Sequence, residues 1–400
     1  MSAPFLLIFA FLVVYGGMHA YAYCKVQPIL HLTSSGRAVL ASIMVLMICA
    51  PLLIHFLNKR ELELAARLTA YTGYIWMGFL FLFCTVFAAA DIYNLLMGIG
   101  GIITRSDVSR FTLPGKNSSF LLAMLVLIIG WYSLFDAQRI RTERITLATS
   151  KLPTGVSRLT IVHISDVHLN LTMSRRFLNR VMAAIREAEP DLLISTGDFV
   201  DVEVNHVVDL ADLFQQIKPR YGKFAVMGNH DFYAGITEAT LAAHRAGFKV
   251  LRGEGLTVAG IVNIAGIDDQ IGSHLSRTAS GPHNETALLA ALPRNLFTIL
   301  LKHRPDINEA SCSLFDLQLS GHTHGGQLFP FTWVIHFLYP RQNGLYKLSG
   351  HSLLYTSTGT GTWGPPMRFL VPPKITVIEI KRQEEKGGSS QGQWSEKTDT

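Results

Sequence analysis

Charged side chains are few in this chain. Asp, Glu, Lys and Arg make up 16% of its 400 residues, against 49% apolar and a mean hydropathy of +0.28. That balance excludes a wholly disordered, solvated chain and points to lipid around part of it. Cysteine is scarcer still. Cys24, Cys49 and Cys84 lie in or beside apolar runs and Cys312 stands alone, so neither a disulfide framework nor a thiolate zinc site is indicated. No segment repeats itself, and a basic groove for a polyanion is also missing. The formal net charge is +6, but residues 1–150 carry 11 Lys and Arg against 6 Asp and Glu, and the remainder 24 against 23. The excess is therefore juxtamembrane, and no nucleic-acid partner is expected.

What the chain has in abundance is uninterrupted apolar sequence. Residues 5–23, 39–57, 68–90 and 120–134 are nearly free of charge, and each is close to the ~20 residues a helix needs to cross a bilayer. The expectation is an all-α transmembrane region of about four helices over residues 1–145, multi-pass and integral to the membrane. A cleaved signal peptide fits the first run poorly, because no basic segment precedes it and further runs follow. The third run continues through residues 91–103 (DIYNLLMGIGGII), as a protruding helix, a re-entrant piece or a fifth span. With four spans, Lys59, Arg60 and Arg67 share a face with Arg139, Arg141 and Arg144, which favours a cytoplasmic C-terminal domain. Asp91, near a span end, reads as interfacial.

After Arg144 short β-rich runs alternate with polar helical stretches, the texture of a layered α/β domain over residues 156–381. A strand at 159–165 ends in Asp166-Val167-His168. A second at 191–196 ends in Gly197-Asp198, and a third at 223–227 ends in Gly228-Asn229-His230-Asp231. Amphipathic helices are expected at 174–188 and 207–217. Further on, a strand at 297–301 leads into Lys302-His303-Arg304, and one at 317–320 leads into Gly321-His322-Thr323-His324-Gly325-Gly326-Gln327. Strands are also expected at 353–356 and 375–380, and residues 382–400 read as a disordered tail. Taken singly, Gly-Asp, Asn-His-Asp and His-x-His are ordinary turn chemistry. Repeated at the carboxyl ends of successive strands, they bring Asp, His and Asn side chains toward one place, with glycine letting the backbone turn closely there. That ligand set contains no Cys and suits Mn, Fe, Co or Zn.

The five blocks, Asp166-x-His168, Gly197-Asp198, Gly228-Asn229-His230-Asp231, His303 and Gly321-His322-x-His324, resemble the calcineurin-like metallophosphoesterase superfamily over about residues 157–381. Gly325-Gly326-Gln327 and residues 359–368 are similar to its single-domain, often membrane-tethered bacterial branch. The resemblance implies a four-layer αββα sandwich. It also implies two divalent metal ions, one held by Asp166, His168 and His324, the other by Asn229, His303 and His322, with Asp198 bridging. The implied reaction is hydrolysis of a phosphoester or pyrophosphate by a hydroxide between the ions, so no Ser or Cys nucleophile is needed. His230 would be the general acid and Asp231 its orienting carboxylate. Lys302 and Arg304 are either phosphate contacts or loop charges, and Arg341 and Arg368 are candidate substrate-side cations. His163, His206, His244 and His336 have no partner at a strand end and read as structural. The bilayer and a phosphoester substrate are the expected partners, with the oligomeric state open. Two alternatives stand beside this reading: a pyrophosphatase for a lipid-linked diphosphate, such as a nucleotide-activated lipid A precursor, and a non-catalytic metal-binding membrane receptor or scaffold.

Overall fold

Alternation of apolar residues in the strands dictates the layering. The computed structural model describes residues 3–113, 115–201, 208–271, 284–383 and 395–397. Its strands are β1 (Arg141–Thr149), β2 (Arg158–Ile164), β3 (Leu192–Ser195), β4 (Lys223–Ala225), β5 (Lys249–Val250), β6 (Glu254–Val258), β7 (Val262–Ile267), β8 (Phe297–Lys302), β9 (Leu317–Ser320), β10 (Gly344–Lys347), β11 (Leu353–Thr356), β12 (Lys374–Arg382) and β13 (Ser395–Lys397). They form a seven-stranded sheet, β13-β1-β12-β2-β3-β4-β5, and a six-stranded sheet, β10-β11-β9-β8-β7-β6. Along β2, Leu159 and Ile161 pack between the sheets against Ile299, Leu319 and Tyr355, while Val162 and Ile164 face a layer of helices. Side chains that alternate in this way leave both faces of the sheet buried.

The outer layers follow the same logic. Helix α5 (Arg175–Glu187) begins at Ser174, whose hydroxyl caps Phe177 N, and buries Phe177, Leu178, Val181, Met182 and Ile185 on one stripe. Beyond the short α6 (Val208–Ala211) and α7 (Asn229–Ala234), α8 (Ile236–Arg245) adds Ala239, Ala242 and Ala243 to the same layer. On the far side α9 (Glu285–Ala290) lays Leu289 over Ala265 and Leu300 of the six-stranded sheet. The result is the expected αββα sandwich. Strands β2, β3 and β4 run parallel, as do β7, β8 and β9, so their carboxyl ends gather at one edge of each sheet. His163, fully buried between Thr196 and Tyr355, belongs to the packing.

The chain divides into two compact units, Met1–Phe135 with Gly364–Met367, and Asp136–Trp363 with Arg368–Thr400. The first holds the N-terminal helices: α1 (Ala3–Leu30), α2 (Ser34–Lys59), α3 (Glu63–Thr104) and α4 (Gly115–Asp136). Three of the described helices are long and apolar enough to cross a membrane, α2, α3 and the Ser118–Asp136 part of α4. The first expected span folds as α1 but is not among those three, and the third runs straight through residues 91–103 as a single 42-residue helix. Within it Asp91 accepts from Tyr21 Oη at 2.7 Å and from Lys25 Nζ at 2.6 Å.

The second unit starts earlier than the sequence suggested. A boundary at residue 145 would cut β1, which pairs with β12 over nine residues and puts Ile145 and Leu147 in the core between the sheets. Only two apolar side chains alternate among the charges there, too few to announce a strand. Most of the expected tail lies outside the described residues, although Ser395–Lys397 pairs antiparallel with β1. Leu147→Ala should lower stability by about 2–5 kcal/mol. The check is thermal or denaturant unfolding of the full chain, and a silent substitution would mean that β1 is a linker rather than a core strand.

Candidate metal centre

Every expected ligand lies within a few residues of a strand's carboxyl end. Asp166 and His168 follow β2, Asp198 follows β3, Asn229 follows β4, His303 follows β8, and His322 and His324 follow β9. All are buried except His322, which is partly so. Asp166, His168 and His324 form one group of donor atoms mutually within 4.8 Å, and Asp198, His303 and His322 form another. Nε2 of His168 and Nε2 of His324 face each other at 3.0 Å. In the second group His303 Nε2 lies 3.1 Å from Asn229 Oδ1 and 3.2 Å from His322 Nδ1. Asp198 Oδ2 stands between the groups, 3.7 Å from His168 Nε2 and 3.2 Å from His303 Nε2.

Holding these side chains inward requires unusual backbone. Asp166, His168, Asp198, His322 and His324 all have positive φ, from 47° to 72°. In residues with a Cβ each such conformation costs about 1–3 kcal/mol. The neighbouring glycines allow close approach. A Cβ on Gly197 would lie 2.6 Å from Gly228 N, and one on Gly228 would overlap Asp198 Oδ1.

Hydrogen bonds from behind fix the donors. His303 Nδ1 donates to Thr196 O at 2.8 Å, which turns Nε2 toward Asn229 and Asp198. The amide of His322 donates to both oxygens of Asp166, at 3.0 and 3.1 Å, and its Nε2 lies 3.2 Å from Tyr339 Oη. Arg368, fully buried, packs behind His324, with Nη2 at 3.1 Å from Nδ1 and Nη1 donating to His324 O and Thr358 O. Arg368 is thus a buttress, not a substrate-side cation. Lys302 is paired with Glu285 and Arg304 with Asp269 and Tyr339, so both are committed to the framework. Arg341, His244 and His336 are exposed, and His206 lies outside the described residues.

The buried carboxylates attract positive charge. Burial pushes the Asp166 carboxyl up to about 6, and the nearby Asp198 carboxylate adds to the rise. Burial also opposes charge on Asp198 and His303, but they hold each other ionised. The imidazolium keeps Asp198 well below the usual carboxylate range, and Asp198 raises His303 to about 10. Buried carboxylates, an amide oxygen and imidazole nitrogens converging at 3–4 Å form a donor set that fits hard-to-borderline divalent ions.

The carboxylate that orients His230 is not the one expected from sequence. His230 Nδ1 lies 3.0 Å from Asp201 Oδ1, and the other oxygen of Asp201 lies 3.8 Å from His168 Nδ1. Asp231 points away from the imidazole. It accepts from the backbone amides of Gly228, Asp198, Phe199 and Val200 at 2.8–3.2 Å, pinning the turn after β3 to the turn after β4. Asp201 could have been found from its spacing, three residues beyond Asp198. Tyr339 and the buttress role of Arg368 had no comparable signal. Asp231→Ala should cost about 2 kcal/mol or more, since it strands buried amide donors, and metal should be lost with it. Unfolding curves and metal content of the purified chain report both, and an unchanged melting point would contradict the clamp.

Comparison with known proteins agrees with this geometry. The family described as "Calcineurin-like phosphoesterase" matches residues 159–326, from β2 to the end of the His322–Gly326 turn. An "Uncharacterized metallophosphoesterase" of Aquifex aeolicus is 35% identical over 258 residues, which is 64% of this chain and 98% of that protein. A "Transmembrane protein with metallophosphoesterase domain" of Danio rerio is 31% identical over 306 residues, 73% of this chain and 69% of that one. With Asp, His and Asn side chains gathered at its strand ends and a relative matched over nearly its whole length, the chain belongs to the calcineurin-like metallophosphoesterase family and is a metal-dependent phosphoester hydrolase.

Proposed function

We infer that the chain is a membrane-anchored phosphoesterase that uses two divalent ions, Mn, Zn, Fe or Co, to cleave a phosphoester or pyrophosphate bond. Asp166, His168 and His324 would hold one ion, and Asn229, His303 and His322 the other, with Asp198 shared. When bound, such a pair acidifies water and neutralises charge on the phosphoryl oxygens. The observation that carries the reading is the shared placement of Asp198, with His230 beside it. The amide of His230 donates to Asp198 Oδ1 at 2.8 Å, and its ring reaches Asp201. Held from behind by that carboxylate, the imidazole has its Nε2 left to protonate a leaving oxygen. Burial works against a charge on His230, but the Asp201 hydrogen bond and the Asp198 and Asp201 carboxylates outweigh it and raise the ring to about 9. A purely structural receptor has no use for an imidazolium maintained in this way.

Anchoring is supported by the three apolar helices, and the Lys and Arg distribution favours a cytoplasmic catalytic unit. Asp198→Asn should abolish turnover of an aryl phosphodiester by the full chain with Mn or Zn, together with stoichiometric metal binding. His230→Ala should keep its metal and lose about 10²–10⁴-fold in rate. If both variants turn over like wild type, the assignment is wrong.

The pH dependence is a separate test of the acid. A general acid must carry its proton, so activity falls as pH rises through its pKa. Asp201→Asn removes the partner that raises His230, so the alkaline limb of the kcat/KM profile should move to lower pH. A limb that stays in place would assign the proton to another group.

A further inference from the structure

The turn that ends in Gln327 leads directly into a helix with no buried residue, α10 (Phe331–Leu338, FTWVIHFL). Trp333 is 69% exposed, Val334 48%, Phe337 86% and Leu338 61%. A short helix of this composition with its aromatic and aliphatic side chains in water is costly, at roughly 25 cal/mol for each Å² of apolar surface. It is not a loose excursion either. At its start, a Cβ on Gly326 would meet the backbone of Thr332 at 2.5 Å, and Phe329 N donates to Phe369 O at 3.2 Å. Just past its end, Tyr339 Oη contacts His322 Nε2 and Arg304 Nη1. The start is thus packed on the turn that follows His324 and the end is fastened to His322, so the apolar surface between them is held out by the framework rather than by fraying.

Chain connectivity identifies what covers that surface. The last apolar helix ends at Asp136 and β1 begins at Arg141, which limits the gap to about 18 Å even when fully extended. Inside the catalytic unit Arg141 N donates to Pro373 O at 2.9 Å. Three residues earlier in the same segment stands Leu370, 64% exposed, and next to it Phe369 bridges Leu328 at the entrance to α10. The first strand after the last apolar helix is therefore bonded to the same 369–373 segment that braces α10. Trp at such a site, with exposed Arg341 two residues beyond Tyr339, is the composition of a bilayer interface.

Building on the membrane-anchored reading above, we propose that α10 lies in the interfacial layer of the bilayer. Trp333, Val334, Phe337 and Leu338 sit among the upper acyl carbons, and the metal centre opens at the level of the lipid phosphates. The substrate class this geometry serves is a phosphoester carried on an amphiphile, which reaches the site by diffusing in the membrane plane.

The test uses the full chain reconstituted in phosphatidylcholine vesicles. The emission lost in Trp333→Phe isolates Trp333, and that lost in Trp131→Phe isolates a tryptophan of the last span. In vesicles whose lipids are brominated on the upper acyl carbons, both components should be largely quenched, while aqueous iodide should leave Trp333 bright. Phe337→Asp should reverse this and open Trp333 to iodide. Quenching of Trp333 by iodide and not by bromolipid, with Trp131 still quenched by lipid, would overturn the inference and leave the anchoring intact. Trp333 shielded from both quenchers would place a protein, such as a second copy of the chain, on this face and would overturn it equally. Trp131 unquenched by lipid would instead remove the anchoring on which the inference rests.

Discussion

The carboxylate of Asp198 is the point at which the two sheets are tied to one chemistry. Its Oδ1 accepts from the amide of His230, its Oδ2 faces His303 and His168, and its own amide donates to Asp231. Four strand ends, those of β2, β3, β4 and β8, therefore meet at a single side chain. The spacing between them is set by the apolar layer of Ile161, Ile194, Ile299 and Leu319, which fixes how closely the sheets approach. Packing far below the site thus decides whether imidazole nitrogens from different sheets can come within 3–4 Å of one carboxylate.

Much of this was legible from residues alone, for a physical reason. A strand with its side chains buried on both faces can carry polar chemistry only where it ends, so Asp and His types collected at strand ends are already placed in space. The same reasoning failed for Asp231. His230 and Asp231 are consecutive on the first turn of α7, and neighbours on a helix point about 100° apart. The imidazole turns toward Asp201 while the carboxylate drops onto four amides. Adjacency in sequence is not facing on a helix, and the partner of the imidazole stands three residues after Asp198 on a different element.

The early start of the catalytic unit and the exposed helix were hidden for opposite reasons. In β1 the charges outnumber the two inward apolar residues, so its pattern resembles a juxtamembrane linker. In α10 six apolar residues out of eight read as one more piece of core, and eight residues are far too few to suggest a span. Only coordinates separate apolar from buried. The 42 residues of α3 show the same limit, since composition alone left open whether the run after Asp91 was a break or a continuation.

Strain explains why the ligands sit on a sandwich rather than on free loops. Five side chains with positive φ represent several kcal/mol of backbone cost, concentrated in a few residues. A flexible loop would relax it by letting the side chains swing apart, and the donor atoms would no longer converge. Here each strained residue is within a few positions of a fully buried strand, and the turns are locked to one another through Asp166 to His322 N and Asp231 to the amides after β3. The proposed acid is held differently. His230 is only partly buried and is flanked by the half-exposed rings of Tyr233 and Trp363, at 5.6 and 5.7 Å between centroids. The candidate ligands are enclosed by the fold, whereas the imidazole proposed to meet a departing oxygen stands at its open edge.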